Sequence, residues 1–428
     1  MIPKNKLRWV RLDNAAKIYP ASRNRHWSNM FRLSATLAEP VDVQILQSAL
    51  DVTVRRFPTI AARLRRGVFW YYLQQLREAP KVQKEYSYPL VFMHAEEARQ
   101  CAFRVIAHKD RIAVEFFHSL TDGTGGLIFL KTLVAEYLQQ KHGIHIPAQF
   151  GVLDRLEEPS ADEIEDSFLK HTGPVSASRK ETDAWHYQGT EEPDGRLNLI
   201  CFQLDLKDVL EKAHAYDTTL TGFLCAAVMQ AILNLQAEKV PNIRRRKAVK
   251  VLVPVNLRKL FPSKSLRNFA LYTIPELDPR LGQYDFREIC KIVKLKMETD
   301  ITAKQMSRMI ATNVSSERMM IVRAMPLPIK NLVMKAVFNA VGERKSFMSL
   351  SNLGAVQLPE EMKPHVRRMD MILGVQAAAP HNCGVVSYGD TLYLNFIRNI
   401  KEADLESHFY RVLRDLGLSV TVESDQEE

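Results

Sequence analysis

One histidine and one aspartate are spaced for acid–base chemistry within the stretch 116-FFHSLTDGTGGLIF-129. A neutral imidazole titrates near physiological pH, so His118 can accept a proton from a hydroxyl or an amine. The glycine-rich run 123-GTGG-126 permits close backbone approach, and the first N–H groups of a following helix favour negative charge. These features suit acyl transfer, whose tetrahedral intermediate is an oxyanion. The alternative is that His118 and Asp122 only form a turn, since this spacing alone is a weak pattern.

The elements around this motif are predicted to hold it at a strand end. Residues 101–120 contain two apolar runs joined by the polar residues 108-HKDR-111, which is typical of a β-hairpin. Residues 127–140 carry apolar side chains at helical spacing. The sequence therefore predicts that His118 ends a strand and lies in a loop that leads into a helix.

Strands and helices also mix in the rest of the chain, and the pattern divides it into two parts. A strand is predicted over 30–37 and a helix over 42–58, which Asp42 can cap. A charged stretch with scattered prolines interrupts the pattern. We expect an α/β fold of the α+β type with an N-terminal lobe over 1–156, a linker or crossover over 157–195 and a C-terminal lobe over 196–428. Further elements are predicted over 67–76, 197–204, 205–216, 221–236, 248–258, 285–300, 346–354, 384–396 and 403–416.

The composition narrows the class of protein. The chain of 428 residues has an ordinary globular mixture and a net charge of +10, which suggests an anionic partner. Its five cysteines are widely spaced, which favours a reducing compartment over a disulfide framework. The start lacks a signal peptide, and the longest apolar stretch, 223–235, is too short to span a bilayer. We expect a soluble, cytoplasmic protein without a membrane span.

Several functional classes lack their sequence signals. We find no Gly-x-Ser-x-Gly elbow, phosphate-binding Walker loop or dinucleotide fingerprint, which disfavours a serine hydrolase, a nucleotide-driven enzyme and a dehydrogenase. The histidines have no companions at metal-ligand spacing, so no metal site is expected. The basic stretch 239–275 contains no acid, but it lacks the aromatic interleaving of a nucleic-acid-binding surface.

The motif 118-HSLTDG-123 resembles the His-x-x-x-Asp-Gly signature of the chloramphenicol acetyltransferase-like superfamily. That group includes alcohol acetyltransferases, wax ester synthases and the condensation domains of peptide synthetases. The resemblance extends over nearly the whole chain, since further segments fall in the order that the superfamily uses: 13–20, 46–67, 252–258, 267–269 and 349–359. It is nearest to the stand-alone alcohol acetyltransferase-like proteins.

The chain also departs from that pattern in three places. Phe117 stands where condensation domains carry a second histidine, and Arg267 replaces the glycine of a Gly-Asn motif. The Asp-Phe-Gly-Trp-Gly motif of the plant enzymes is absent. Phe117 disfavours peptide-bond formation on carrier proteins, and the missing motif disfavours close membership in the plant branch.

The resemblance implies two lobes with an active-site tunnel between them and a role for each residue of the motif. His118 would be the general base, and the Gly123 N–H would help to hold the oxyanion. Asp122 would point away from the substrate and pair with an arginine, for which Arg258 is the candidate. Such a pair would tie the two lobes together.

Other residues are candidates for the tunnel and for the donor. The strand that carries Ser349, Ser351 and Asn352 would line the tunnel and could supply an oxyanion donor, although these groups can equally satisfy their own strand. Asn268 matches the asparagine of the Gly-Asn motif. The basic residues Arg244, Arg245, Arg246 and Lys247 could bind the phosphates of coenzyme A, or could simply form a solvated face.

The sequence thus predicts an acyl-CoA-dependent O-acyltransferase, with acetyl-CoA as the expected co-substrate and a small-molecule alcohol as acceptor. No permanently bound cofactor is expected, and a chain of this length can build the tunnel as a monomer. One alternative is a condensation-like or N-acyltransferase that uses an acyl carrier protein thioester or an amine acceptor. The other is a non-catalytic binding protein of the same fold.

Overall fold

The computed structural model of the chain describes residues 8–22, 29–173, 182–318, 324–341, 343–375 and 379–425. Strands are numbered along the chain as follows: β1 Trp9–Arg11, β2 Met30–Leu37, β3 Ala62–Arg66, β4 Tyr71–Gln75, β5 Gln83–Lys84, β6 Phe103–His108, β7 Arg111–Phe117, β8 Asn198–Asp205, β9 Val249–Asn256, β10 Ala270–Thr273, β11 Glu276–Leu277, β12 Met348–Ala355, β13 Val366–Leu373, β14 His381–Tyr388, β15 Thr391–Arg398 and β16 Thr421–Ser424. The helices are α1 Ile18–Ser22, α2 Val43–Arg56, α3 Ala95–Gln100, α4 Gly123–His142, α5 Ala161–Ile164, α6 Ser167–Lys170, α7 Leu206–Ala215, α8 Leu220–Lys239, α9 Phe286–Asp300, α10 Ala303–Arg318, α11 Leu327–Val341 and α12 Asp404–Asp415.

The N-terminal part is built on a mixed five-stranded sheet with the order β13-β2-β7-β6-β5. The predicted hairpin is present as β6 and β7, and Lys109 turns it with a φ of 50°. Helices α2 and α4 pack together in the same lobe. Asp42 caps α2 by accepting hydrogen bonds from the N–H groups of Gln44 and Ile45, at 2.8 and 3.1 Å, as the sequence predicts.

The C-terminal part has a larger mixed sheet with the order β10-β9-β12-β14-β15-β8-β16, and β11 also pairs with β9. Strand β12 is parallel to both of its neighbours, while β14, β15 and β8 are antiparallel. Each sheet has its own core of buried apolar residues. The expected α/β architecture of two mixed-sheet lobes with flanking helices is therefore confirmed.

One strand departs from the predicted division of the chain at residue 196. Strand β13 comes from the C-terminal half, yet it pairs with β2 along the edge of the N-terminal sheet, from Val366 opposite Leu37 to Leu373 opposite Phe31. A third, smaller sheet with the order β1-β4-β3 belongs to the N-terminal part. Apolar alternation predicts a strand but not its partner, which is why this crossover is not visible in the sequence.

Helix α8 corrects the expectation that its apolar stretch is too short to cross a membrane. It runs for 20 residues and is long and apolar enough by length and composition. However, 72% of its most apolar window is buried inside the protein. The helix is the central element of the C-terminal core, where Phe223, Leu224 and Ile232 are fully buried.

Candidate functional site

His118 lies directly after β7, at the strand end where the sequence predicts it. Its backbone N–H donates to the carbonyl of Asn29 at 2.8 Å, which fixes the residue to the segment just before β2. Its ring stacks on Tyr19, with centroids 4.6 Å apart and planes at 22°, and the ring of Phe31 lies 5.0 Å away. The imidazole therefore packs against two aromatic rings, which restrict its orientation.

Asn268 and Asp13 determine which nitrogen of His118 carries the proton. The Nδ1 of His118 lies 3.0 Å from the Oδ1 of Asn268. The amide nitrogen of Asn268 donates to the Oδ2 of Asp13 at 3.3 Å, so the amide oxygen must face the imidazole. In neutral His118 the proton is then on Nδ1, and Nε2 is the basic nitrogen. Asp13 and Asn268 are themselves almost fully buried, at 0% and 3% exposed.

Further contacts hold this Asp13–Asn268–His118 chain in place. Asp13 accepts a hydrogen bond from the N–H of Ala16 at 2.7 Å, and the Nε of Arg267 lies 3.7 Å from its carboxylate. Burial lowers the pKa of His118 below its ordinary value of 6.5, against the opposing effects of Asp122, Asn268 and Asp13. The imidazole is therefore neutral at physiological pH and can act as a base.

Asp122 points away from His118 and joins the two halves of the chain. Its Oδ1 caps α4 by accepting from the N–H of Gly125 at 3.0 Å. Its Oδ2 accepts from the Nη1 of Arg258 at 2.7 Å and from the N–H of Phe269 at 2.9 Å. The structure thus brings together Asp122 and Arg258, the two residues that the resemblance pairs across 136 positions.

The guanidinium of Arg258 also organises the loop that carries Asn268. It donates to the carbonyls of Ser265 and Arg267, at 2.9 and 2.5 Å. Nearby, Asn256 donates to the hydroxyl of Thr124 at 3.1 Å, which is a second link between the halves at the start of α4. The aspartate and arginine therefore position the chain around the imidazole and do not contact its ring directly.

The glycines after Asp122 form the first turn of α4 and do not form the loop that the sequence predicts. They are needed for packing, because a Cβ at Gly125 would overlap with the hydroxyl of Thr121 and the carbonyl of Leu266. A Cβ at Gly123 would lie 2.7 Å from the side chain of Leu353 on β12. Within the described residues the N–H of Gly123 makes no hydrogen bond, as expected for the first amide of a helix.

A Gly125→Ala substitution should destabilise the protein, because the new methyl meets a backbone carbonyl that cannot move aside. Overpacking costs about 1–3 kcal/mol, and this exceeds the roughly 1 kcal/mol that alanine gains over glycine inside a helix. Thermal unfolding monitored by circular dichroism measures the effect. Gly123→Ala is the matched control in the same turn, since its methyl meets the movable side chains of Leu353 and Met371 and no backbone atom. Equal midpoints for the two variants would contradict this account.

Solved structures that are similar to the chain agree with this fold. The trichothecene 15-O-acetyltransferase from Fusarium sporotrichioides aligns with a TM-score of 0.61 over 97% of this chain and 96% of that one, at 11% identity. The condensation domain of Monacolin K polyketide synthase aligns with a TM-score of 0.59 over 96% of both chains, at 13% identity. The wax ester synthase/diacylglycerol acyltransferase from Marinobacter aquaeolei VT8 aligns with a TM-score of 0.54 over 95% of this chain and all of that one, at 13% identity. The chain has the chloramphenicol acetyltransferase-like fold. Neither the family models nor the curated protein sequences contain a match to it.

Within the chloramphenicol acetyltransferase-like fold, only part of the predicted tunnel strand faces the motif. Side chains alternate along the regular part of β12, so Ser349 and Ser351 share one face. The pairing with β14 shifts register after Asn352, and there the side chain of Leu353 meets α4 at Gly123. The amide of Asn352 is on the opposite face and donates to Thr221 of α8 at 3.0 Å. Its oxygen accepts from the N–H of Gly354. The two serines thus remain candidates for substrate contact, while Asn352 is engaged elsewhere.

The basic run Arg244–Lys247 is at the far end of α8 from these residues. The start of α8 lies beside Asn352, because Thr221 in its first turn accepts the hydrogen bond from that residue. The 20 residues of the helix extend about 30 Å. The helix ends at Lys239, and the guanidinium of Arg246 donates to the carbonyls of the next two residues, Val240 and Pro241. The structure does not bring this run together with His118.

The cysteines offer no alternative nucleophile among the described residues. All five are free, and Cys201, Cys225, Cys290 and Cys383 are buried. Burial raises the pKa of the Cys101 thiol to about 12 and that of Cys201 to about 12. Thiols with such pKa values carry almost no thiolate at neutral pH, so covalent catalysis by cysteine is disfavoured.

Sequence reasoning missed three residues that complete the site. Asp13, Tyr19 and Asn256 contact Asn268, His118 and Thr124 respectively. The segment 13–20 contributed to the resemblance, but no pattern indicated that its aspartate would be buried against a residue 255 positions away.

Proposed function

We propose that the protein is an O-acyltransferase that transfers an acyl group from a thioester to an alcohol, with His118 as the general base. One observation carries the proposal: the Nδ1 of His118 faces the amide oxygen of Asn268, which leaves Nε2 as the proton acceptor. The lowered pKa of His118 supports this role, because the free base is the working form. Similarity to the acetyltransferase and wax ester synthase structures supports the same reaction class.

The reaction balances with one proton carried by His118. Nε2 takes the proton of the acceptor hydroxyl as its oxygen bonds to the thioester carbonyl carbon. The resulting oxyanion is stabilised by the start of α4, where the Gly123 N–H and the helix dipole favour negative charge. The C–S bond then breaks, and the imidazolium returns its proton to the departing thiolate. The products are an ester and a free thiol, and His118 is regenerated.

The proposal includes coenzyme A as the carrier of the acyl group, acetyl-CoA as the first donor to test, and a monomer in the cytoplasm. Its test is release of free thiol from acetyl-CoA with a panel of short and long alcohols. We expect thiol release that depends on the alcohol. Absence of release with every alcohol and with longer acyl donors would contradict the O-acyltransferase proposal.

The dependence of activity on pH should report the buried state of His118. Because burial lowers its pKa below 6.5, the neutral imidazole is the major form at pH 6.5, and protonation predominates only at lower pH. We therefore expect kcat/KM to fall on the acid side with an apparent pKa below 6.5. A Tyr19→Ala variant removes the ring stacked on the imidazole, admits water and should move that apparent pKa upward. An acid limb above 6.5 in the wild type would contradict the assignment.

A condensation-like reaction is the second candidate, and one observation favours it. A condensation domain aligns with this chain nearly as well as the acetyltransferase does, with a TM-score of 0.59 against 0.61. The same base could deprotonate an amine, and an acyl carrier protein could present the thioester. Thiol release with amines or from a carrier-protein thioester, and not from acyl-CoA with alcohols, would select this candidate.

A further inference from the structure

The small three-stranded sheet presents a polar face on the surface of the N-terminal lobe. The central strand of this sheet is β4. Its Gln74 lies opposite Trp9 of β1 on one side and opposite Arg63 of β3 on the other. Since side chains alternate across a strand, Arg65 and Tyr72 share this face. The residues between them, Leu64 and Leu73, are buried on the other face in the core. The sheet therefore covers the core with one face, and its other face carries the polar side chains.

A pocket of about 630 Å³ lies on this polar face and is lined by arginines without acids. Its volume is in the range of ligand sites, roughly 300–1,000 Å³. The lining residues are Trp9, Arg63, Arg65, Arg66, Tyr72, Gln74, Arg77 and Arg99. We call these residues the arginine pocket.

The positive charge of the arginine pocket is not neutralised by the described residues. None of its five arginines forms an ion pair with a described carboxylate, whereas Arg32, Arg56 and Arg104 of the same lobe all pair with glutamates. Burial, followed by the charges of Arg65 and Arg77, lowers the pKa of Arg63. Five positive charges in one pocket repel one another, and an anion bound between them relieves this repulsion and stabilises the protein.

Gln74 holds two of these guanidiniums in a fixed arrangement. Its Oε1 accepts from the Nε of Arg63 and from the Nε of Arg65, both at 3.0 Å. Among the residues that the structure describes, each guanidinium hydrogen-bonds through its Nε alone, which leaves its terminal N–H groups available to a ligand. Paired terminal N–H groups match the geometry of phosphate oxygens, which is why arginine is common in phosphate sites.

Two aromatic rings border the arginines. Trp9 is 57% exposed, and its ring lies 4.8 Å from that of Tyr72 at an angle of 34°. An exposed indole offers a flat surface on which a planar base can stack. The pocket thus combines groups for phosphates with a surface for an aromatic ring.

We propose that the arginine pocket binds the phosphorylated portion of a nucleotide, with the base against Trp9. Under the proposed function, on which this choice of source rests, the nucleotide is that of coenzyme A. The position of the arginine pocket supports coenzyme A as the ligand. Only Leu12 separates the end of β1 from Asp13, and Arg267 donates to the carbonyl of Arg11. The strand that carries Trp9 therefore leads directly to the Asp13–Asn268–His118 chain.

Isothermal titration calorimetry with adenosine 3′,5′-bisphosphate, AMP and inorganic phosphate tests the pocket without relying on turnover. We expect the bisphosphate to bind most tightly. The Arg63→Ala/Arg65→Ala variant should weaken its binding by about tenfold or more. Arg77→Ala/Arg99→Ala removes two exposed arginines and repeats the test if the first variant fails to fold. Lys207→Ala/Lys291→Ala is the matched control, because it removes the same charge from exposed positions on α7 and α9 and should leave binding unchanged.

Each other outcome overturns a defined part of the proposal. Unchanged binding in both pocket variants, or no binding in the wild type, overturns the site. Equal affinity for inorganic phosphate and the bisphosphate, unaltered by Trp9→Ala, overturns the stacking of a base. Binding to vesicles of phosphatidylglycerol in place of the nucleotide would assign the arginines to lipid phosphates. Weaker bisphosphate binding in the variants with an unchanged KM for acetyl-CoA would overturn coenzyme A as the source and leave the nucleotide site standing.

Discussion

His118→Ala is expected to lower kcat/KM for acyl transfer by about 10²- to 10⁴-fold, the range for loss of a general base. The remaining groups, above all the start of α4, would still bind and polarise the thioester, so weak residual activity is expected. The far-ultraviolet circular dichroism spectrum should match that of the wild type, because alanine keeps the backbone hydrogen bond to Asn29 and loses side-chain contacts at a single strand end.

The control for this experiment is His94→Ala, which removes an exposed imidazole from the same lobe. It should have the activity of the wild type. If His118→Ala retained activity similar to that of His94→Ala, the imidazole could not be the base, and the proton would have to leave the acceptor by another route.

Arg258→Ala is expected to cause the largest loss of stability. The guanidinium is 12% exposed and the Asp122 carboxylate 7%, so removing the arginine leaves a buried carboxylate without its charged partner. Breaking such a pair costs about 3–5 kcal/mol. The carbonyls of Ser265 and Arg267 also lose their donors. The loop that carries Asn268 should therefore be released. Chemical denaturation with urea measures the loss of stability as a lower midpoint.

Arg280→Ala provides the comparison, because Arg280 also pairs with an aspartate, Asp278, but is 54% exposed. Exposed pairs contribute little, so this variant should unfold near the wild-type midpoint. If Arg258→Ala unfolded at the same midpoint as Arg280→Ala, the Asp122–Arg258 pair would not hold the two halves together.

Local patterns predicted the elements that carry the site. The apolar runs of 101–120 predicted the hairpin, and the strand end at His118 followed from them. The pairing of Asp122 with Arg258 came from the resemblance and not from spacing, since 136 positions separate the two residues. Periodicity specifies which face of an element is apolar, but it contains no information about which distant element will cover that face.

The parts that the sequence did not predict are all long-range. Asp13 meets Asn268, and β13 joins β2, through contacts between residues that are far apart in the sequence. The glycines of α4 were assigned to a turn because glycine is usual there, whereas close packing against Leu266 and Leu353 requires them inside a helix. The alternation of Arg63 and Arg65 around Leu64 was readable, but only the register with Gln74 places both guanidiniums in one pocket.

The most direct test of the central claim is to follow a labelled acetyl group from acetyl-CoA into product by mass spectrometry, with wild type beside His118→Ala. We expect the wild type to form a labelled ester with one free coenzyme A for each ester, and the variant to form neither at a comparable rate. Equal ester formation by the two proteins would contradict the role of His118 as the base. Hydrolysis of acetyl-CoA to labelled acetate and free coenzyme A, with no ester formed, would contradict transfer to an alcohol.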